Sequence, residues 1–146
     1  MNDDIYQHLS DVKIYTDVGQ IMLVDIDAVN PYDNHRFPFN DKRWKLVDKR
    51  TSDERTTEKS HREGTDYAKE RLRNGDVPRP ILVFNGYRKS DRDVFADDVD
   101  WTKIYFQRLD GFKRYMAMKE LGVKQIVVHV VNTWAGGGQV NQSMFL

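Results

Sequence analysis

The apolar positions of the chain fall into a few dense runs separated by long polar stretches. The run "QIMLVDIDAV" (20–29) is rich in β-branched and apolar residues and predicts one strand, closed by Asn30-Pro31. Upstream, Ile5, Leu9 and Val12 are spaced i, i+4, i+7, which suits a short amphipathic helix or a docked arm. "NPYDNHRFPFN" reads as turn and loop. From Asp41 to about Glu63 both charges alternate with few apolar residues, predicting a solvated helix or a mobile insertion. In "GTDYAKERLRNGD", Thr65 or Asp66 is the expected helix cap and Asn74-Gly75 the stop.

"VPRPILVF" predicts a short buried strand entered through prolines. A long polar loop over 86–101 separates it from a returning strand, "KIYFQRL". A helix over 112–121 then offers Phe112, Met116, Ala117, Met118 and Leu121 to the core, and Gly122 ends it. "QIVVHVV" is the last strand, followed by a glycine-rich tail. The pattern predicts an α+β domain with a small mixed β-sheet and packed helices. Its bounds are an N-terminal extension at 1–19, a domain at 20–131 and a tail at 132–146.

Composition narrows the chemistry. The chain has 146 residues, 32% of them charged, and a formal net charge of zero, so no global basic field draws it to nucleic acid. Without cysteine there is no disulfide, no thiolate catalysis and no cysteine zinc site. The acidic N-terminus lacks the features of a signal peptide, and no apolar run approaches the roughly 20 residues of a bilayer span. A soluble cytoplasmic protein with no membrane partner is expected.

The candidate chemistry centres on "DGFKR", Asp110 to Arg114, at the mouth of the 112–121 helix. A helix N-terminus exposes unpaired N–H groups and partial positive charge, a ready anion site. Gly111 permits close backbone approach, and Asp110 is the expected N-cap. Lys113 and Arg114 stand where the dipole disfavours cations by up to about 1 kcal/mol. A bound phosphate reverses that preference, whereas a solvated Lys-Arg pair would simply tolerate it.

Other candidates are weaker. Asp25 and Asp27 alternate, so on a strand they would share one face and could hold Mg²⁺, or only face solvent. The acidic run with Asp93, Asp97, Asp98 and Asp100 reads as a solvated loop, and His129 as a strand residue with a satisfied hydrogen bond. The basic 42–73 stretch with Trp44 and Tyr67 could contact nucleic acid, but the Asp and Glu interspersed there, seven against eleven Lys and Arg, favour a salt-bridged helix. No metal ligand set stands out.

Three segments in order, "VDIDAVNPYDNHRF", "YAKERLRNGDVPRPILVF" and "YFQRLDGFKRYMAMKELGVKQIVVHVV", resemble the ParB/sulfiredoxin superfamily. The shared features are an Asn-Pro and arginine box (Asn30-Pro31, Arg36) and a Gly-x-x-Arg turn (Gly111 to Arg114). Ala117 and the Leu121-Gly122 stop complete the set. The resemblance implies a stand-alone nucleotide-binding domain, with Gly111, Lys113 and Arg114 on the phosphates and Arg36 facing them. The cofactor it implies is a nucleotide triphosphate, ATP or CTP, with Mg²⁺. NTP hydrolysis or phosphoryl transfer would follow, with Asp33 and His35 as candidate catalytic groups. Phe112 stands where sulfiredoxins carry their cysteine, which excludes thiol chemistry. A stand-alone domain, without the helix-turn-helix domain of full partition proteins, is expected. The rival reading is a non-enzymatic DNA- or protein-binding accessory module. A ParB-like nuclease ranks third, and homo-oligomerisation stays open.

Overall fold

The computed structural model of the chain describes residues 20–33, 36–45, 57–87 and 96–132. The expected helix or arm at 5–12, His35, Asp93 and the tail beyond Asn132 lie outside the described residues.

Five strands form one mixed sheet: β1 (Gln20–Asp25), β2 (Val29–Asn30), β3 (Ile81–Phe84), β4 (Phe106–Arg108) and β5 (Gln125–Val131). Their order across the sheet is β1-β5-β3-β4-β2. β1 runs antiparallel to β5, β5 parallel to β3, β3 antiparallel to β4, and β4 parallel to β2.

The single strand expected over 20–29 is two strands at opposite edges of this sheet. Between them Ile26–Ala28 forms one 3-10 turn. Three residues of 3-10 helix advance only about 6 Å, so the sheet must curl until its edges almost meet. Backbone bonds stitch the junction: Ile26 N–H donates to Lys124 O at 2.9 Å and Tyr105 N–H to Ala28 O at 2.9 Å. The buried Tyr115 hydroxyl donates from the inside toward the Ile26 and Val29 carbonyls at 2.9 and 3.2 Å. The same break corrects the pairing of Asp25 and Asp27. Asp25 ends a strand and Asp27 lies in the turn, so they share no strand face.

β5 lies inside the sheet, between β1 and β3, and Ile126 to Val131 are all buried. This explains why "IVVHVV" has no polar alternation. Helix α2 (Phe112–Glu120) buries Phe112, Tyr115, Met116, Ala117 and Met118 against Ile81, Val83, Ile126 and Val128. Leu121, expected in the core, is half-buried and begins the turn after the helix.

Helix α1 (Glu58–Arg73) packs on α2. It starts well upstream of the expected caps: Thr57 Oγ1 accepts from Ser60 N–H at 3.0 Å, and Thr65 is a fully buried mid-helix residue. The expected stop holds, with Asn74 as C-cap and Gly75 at φ 93°. Arg62 grips Glu120 through two bonds of 2.7 and 2.6 Å, and Lys69 adds a third at 3.1 Å, clamping the two helices together.

The charged stretch from Asp41 is not wholly a solvated insertion. Trp44 is 1% exposed, edge-on to Phe37 with ring centroids 5.4 Å apart and 5.1 Å from the His61 ring. Its aromatic face therefore belongs to the core and offers no platform to a nucleic-acid base. Residues 46–56 lie outside the described residues.

Candidate anion-binding site

Gly111, not Asp110, is the N-cap of α2. It adopts φ 92°, ψ 31° in the left-handed region, and no side chain caps the helix. The Asp110 carboxylate turns back onto the neighbouring Gly111 N–H at 2.7 Å. A Cβ at Gly111 would lie 2.7 Å from Ile81 Cδ1 and 2.8 Å from Arg114 Nη2. The turn therefore requires glycine twice, for its backbone angle and for space. Gly111→Ala is expected to lose about 1–3 kcal/mol of stability, read as a lower urea midpoint. An unchanged midpoint would show that the turn re-forms around a side chain.

The two cations of the first turn leave in different directions along α1. Lys113 lies across Gly64, where a Cβ would come within 2.5 Å of its Cδ and 3.0 Å of its Nζ. A mid-helix glycine costs about 1 kcal/mol relative to alanine. Here the bare backbone makes the bed for the lysine stem. Arg114 folds back over Gly111 and lines a cleft of about 360 Å³ with Ala68, Leu72, Val77, Pro78 and Arg79.

The loop after β2 supplies further charged groups of the site. Asn30 is fully buried, donates to Gln107 Oε1 at 2.8 Å and accepts from Tyr32 N–H at 3.1 Å. Arg108, the residue that closes β4, has a side chain 3% exposed. It donates through Nε to Pro31 O at 2.7 Å and through Nη2 to Asp33 Oδ2 at 2.6 Å. Asp33 also accepts from Arg36 N–H at 3.0 Å through Oδ1. Both of its oxygens are thus engaged in holding the loop, which fits a positioning group better than a proton acceptor. The Arg36 Nε is buried and has no hydrogen-bond partner among the described residues.

At the centre is His61, one turn before Thr65 on the buried face of α1 and 3% exposed. Its ring stands edge-on to Phe112 at 5.4 Å, and its Nδ1 has no hydrogen-bond partner among the described residues. Burial, then the charges of Arg36 and Lys113, bring its pKa down to about 4. Arg108 adds to this repulsion and Asp33 partly opposes it. The structure thus brings Arg36, Lys113 and the Gly111 turn to one place, with Arg114 and Asp110 at its border.

His61, Gly64 and Arg108 belong to the same place, and no motif in the sequence marks them. His61 lay in a charged stretch read as insertion, and its meaning depends on Trp44 and Phe112 closing over it. The only local signal for Arg108 is that it shortly precedes the glycine turn.

The other candidates fall elsewhere. Asp98 accepts from the Tyr32 hydroxyl at 2.7 Å and faces Lys119, and Asp100 caps a 3-10 turn through Thr102 N–H. His129 is buried on β5, and burial lowers its pKa. Many cations of α1 are tied to carboxylates, as in Lys59–Glu63, Arg62–Asp66 and Arg71–Asp76. Among the described residues no three acidic or histidine side chains group as a metal site, and no helix is long and apolar enough to cross a membrane.

No protein-family model matches the chain, and no curated protein is detectably similar to it.

Proposed function

We propose that the chain is a nucleotide-binding domain of ParB/sulfiredoxin type that seats phosphate between the Gly111 turn, Lys113 and Arg36. The observation that carries this reading is that Arg36 and Lys113, the latter in the first turn of a helix no side chain caps, both act on one buried ring, where Arg36 Nε and His61 Nδ1 have no hydrogen-bond partner among the described residues. A buried donor left unpaired costs about 1–3 kcal/mol, and an anion bound there removes that cost. The α+β architecture, with the Asn-Pro loop held against the strand that leads into the glycine turn, supports the family reading.

The cleft beside Arg114, within the range of small-ligand pockets of about 300–1,000 Å³, has an apolar wall suited to the nucleoside. The donor set fits phosphate directly. Mg²⁺ commonly binds through one or two carboxylates plus substrate phosphates, and Asp33 and Asp110 are the carboxylates bordering the seat. When bound, the ion supplies neutralisation of phosphate charge. The chain's own residues orient and neutralise the phosphates, which is most of what phosphoryl transfer demands of a protein.

A thermal-shift panel of ATP, CTP, GTP and UTP with Mg²⁺ tests the reading. A ligand at 100 times its Kd adds about 2.7 kcal/mol, and Arg36→Ala and Lys113→Ala should each reduce the shift. No shift with any of the four, or an undiminished shift in both variants, overturns it.

A further inference from the structure

We propose that His61 is the proton-carrying member of this seat, taking up a proton as a phosphate group enters, so that phosphate affinity rises as pH falls. The inference rests on the anion-site reading above and deepens it.

The geometry comes first. The His61 ring is enclosed by Trp44 at 5.1 Å and Phe112 at 5.4 Å, so Nδ1 does not exchange partners freely with bulk water. Charged groups face it from every packed element: Arg36 and Asp33 from the loop after β2, Arg108 from β4, Lys113 from α2. Beside Trp44, Arg43 is closed on Asp41 at 2.9 Å. Asp33 is the acidic group among the main charges acting on the ring from the described residues, and Arg108 already claims it at 2.6 Å. Three cations against one committed carboxylate leave a net positive surround, and the imidazole stays neutral.

A phosphate dianion between Arg36 and Lys113 cancels most of that surround. It also offers an oxygen to Nδ1, which has no partner among the described residues, and a charge-assisted N–H···O bond is stronger than a neutral one. Both changes favour the imidazolium. By linkage, whatever raises the proton affinity of the ring is itself bound more tightly when the ring is protonated. The site would then favour a phosphate dianion over a monoanion such as a simple carboxylate, because one charge cancels only part of the net positive surround while two cancel it and admit the imidazolium.

Inorganic pyrophosphate is the probe. The His61 ring resonance is followed by NMR from pH 4 to 8, with and without saturating pyrophosphate. Proton uptake at pH 6 is measured by calorimetry in two buffers of different ionisation enthalpy. We expect the His61 midpoint to rise by more than about one unit, toward the ordinary value of about 6.5. We also expect the affinity gain between pH 7.5 and 5.5 to be about tenfold larger in the wild type than in His61→Gln. This difference cancels the titration of pyrophosphate itself. If His61→Gln does not fold, the wild-type midpoint, assigned by through-bond correlation, decides alone. Pyrophosphate that binds, and is lost in Lys113→Ala, while the His61 midpoint stays put overturns this inference and leaves the site standing. Failure of pyrophosphate and every nucleotide to bind overturns both.

Discussion

Arg108→Ala is expected to lower the unfolding free energy by about 3–5 kcal/mol, the cost of breaking a buried ion pair by removing one partner. The side chain is 3% exposed, and its two bonds of 2.6 and 2.7 Å hold Asp33 and the Pro31 carbonyl. Its guanidinium also lies 5.7 Å from the centre of the Phe112 ring. Removal leaves the carbonyl without its donor and the Asp33 carboxylate without its nearer counter-charge, with Arg36 Nη1 remaining 3.9 Å away. Because Asp33 is 34% exposed, water can recover part of that loss, which places the effect toward the lower end. Arg108→Lys should rescue only partly, since an ammonium cannot span both acceptors with a planar fork. Urea unfolding checks the value. A loss under about 1 kcal/mol would mean that the pair adds little beyond its desolvation cost. Since Asp33 in turn holds the Arg36 backbone, the variant should also weaken any ligand that Arg36 seats.

The second large effect is on pH. His61 titrates near its ordinary 6.5 in the unfolded chain and at about 4 when folded, chiefly through burial, then through Arg36 and Lys113. Between those values the unfolded chain binds more protons, so stability rises with pH. The contribution is fully present above pH 6.5 and is lost as pH falls toward 4. Two and a half units of displacement correspond to roughly 3 kcal/mol. Glu120, held below the usual carboxylate range by its bond to Arg62, loses stability in the same direction, but in the carboxylate range below the ordinary value of 4.5. His129, lowered by burial, adds to the histidine window. The separating measurement is unfolding free energy between pH 7 and 5.5 in the wild type and His61→Gln. A slope that the substitution leaves unchanged would show that His61 is not the group responsible.

Much of this was legible along the chain because the causes are local. The 3.6-residue pattern and Gly122 marked α2, Asn74-Gly75 marked the end of α1, and the valine- and isoleucine-rich run of 125–131 marked the last strand. Gly111 and the cations behind it were readable as a candidate anion site because a helix start carries its own charge and its own unpaired donors.

The remainder was invisible for a physical reason: it depends on residues far apart in sequence. "QIMLVDIDAV" has the composition of one strand, and only the curl of the sheet turns its middle into a 3-10 turn and sends its halves to opposite edges. Trp44 and His61 sit in a stretch whose average polarity reads as solvated, yet the two rings cover each other under Phe112. Gly64 looks like a defect in α1 until Lys113 lies across it. The sequence by itself determined α2, the end of α1, the strands about 81–84 and 125–131 and the glycine at the turn, since propensity, capping and charge act over a few residues. The tertiary structure alone decided that Arg36, Lys113, Arg108 and His61 meet there, because burial and unscreened charge arise only when distant segments exclude water together.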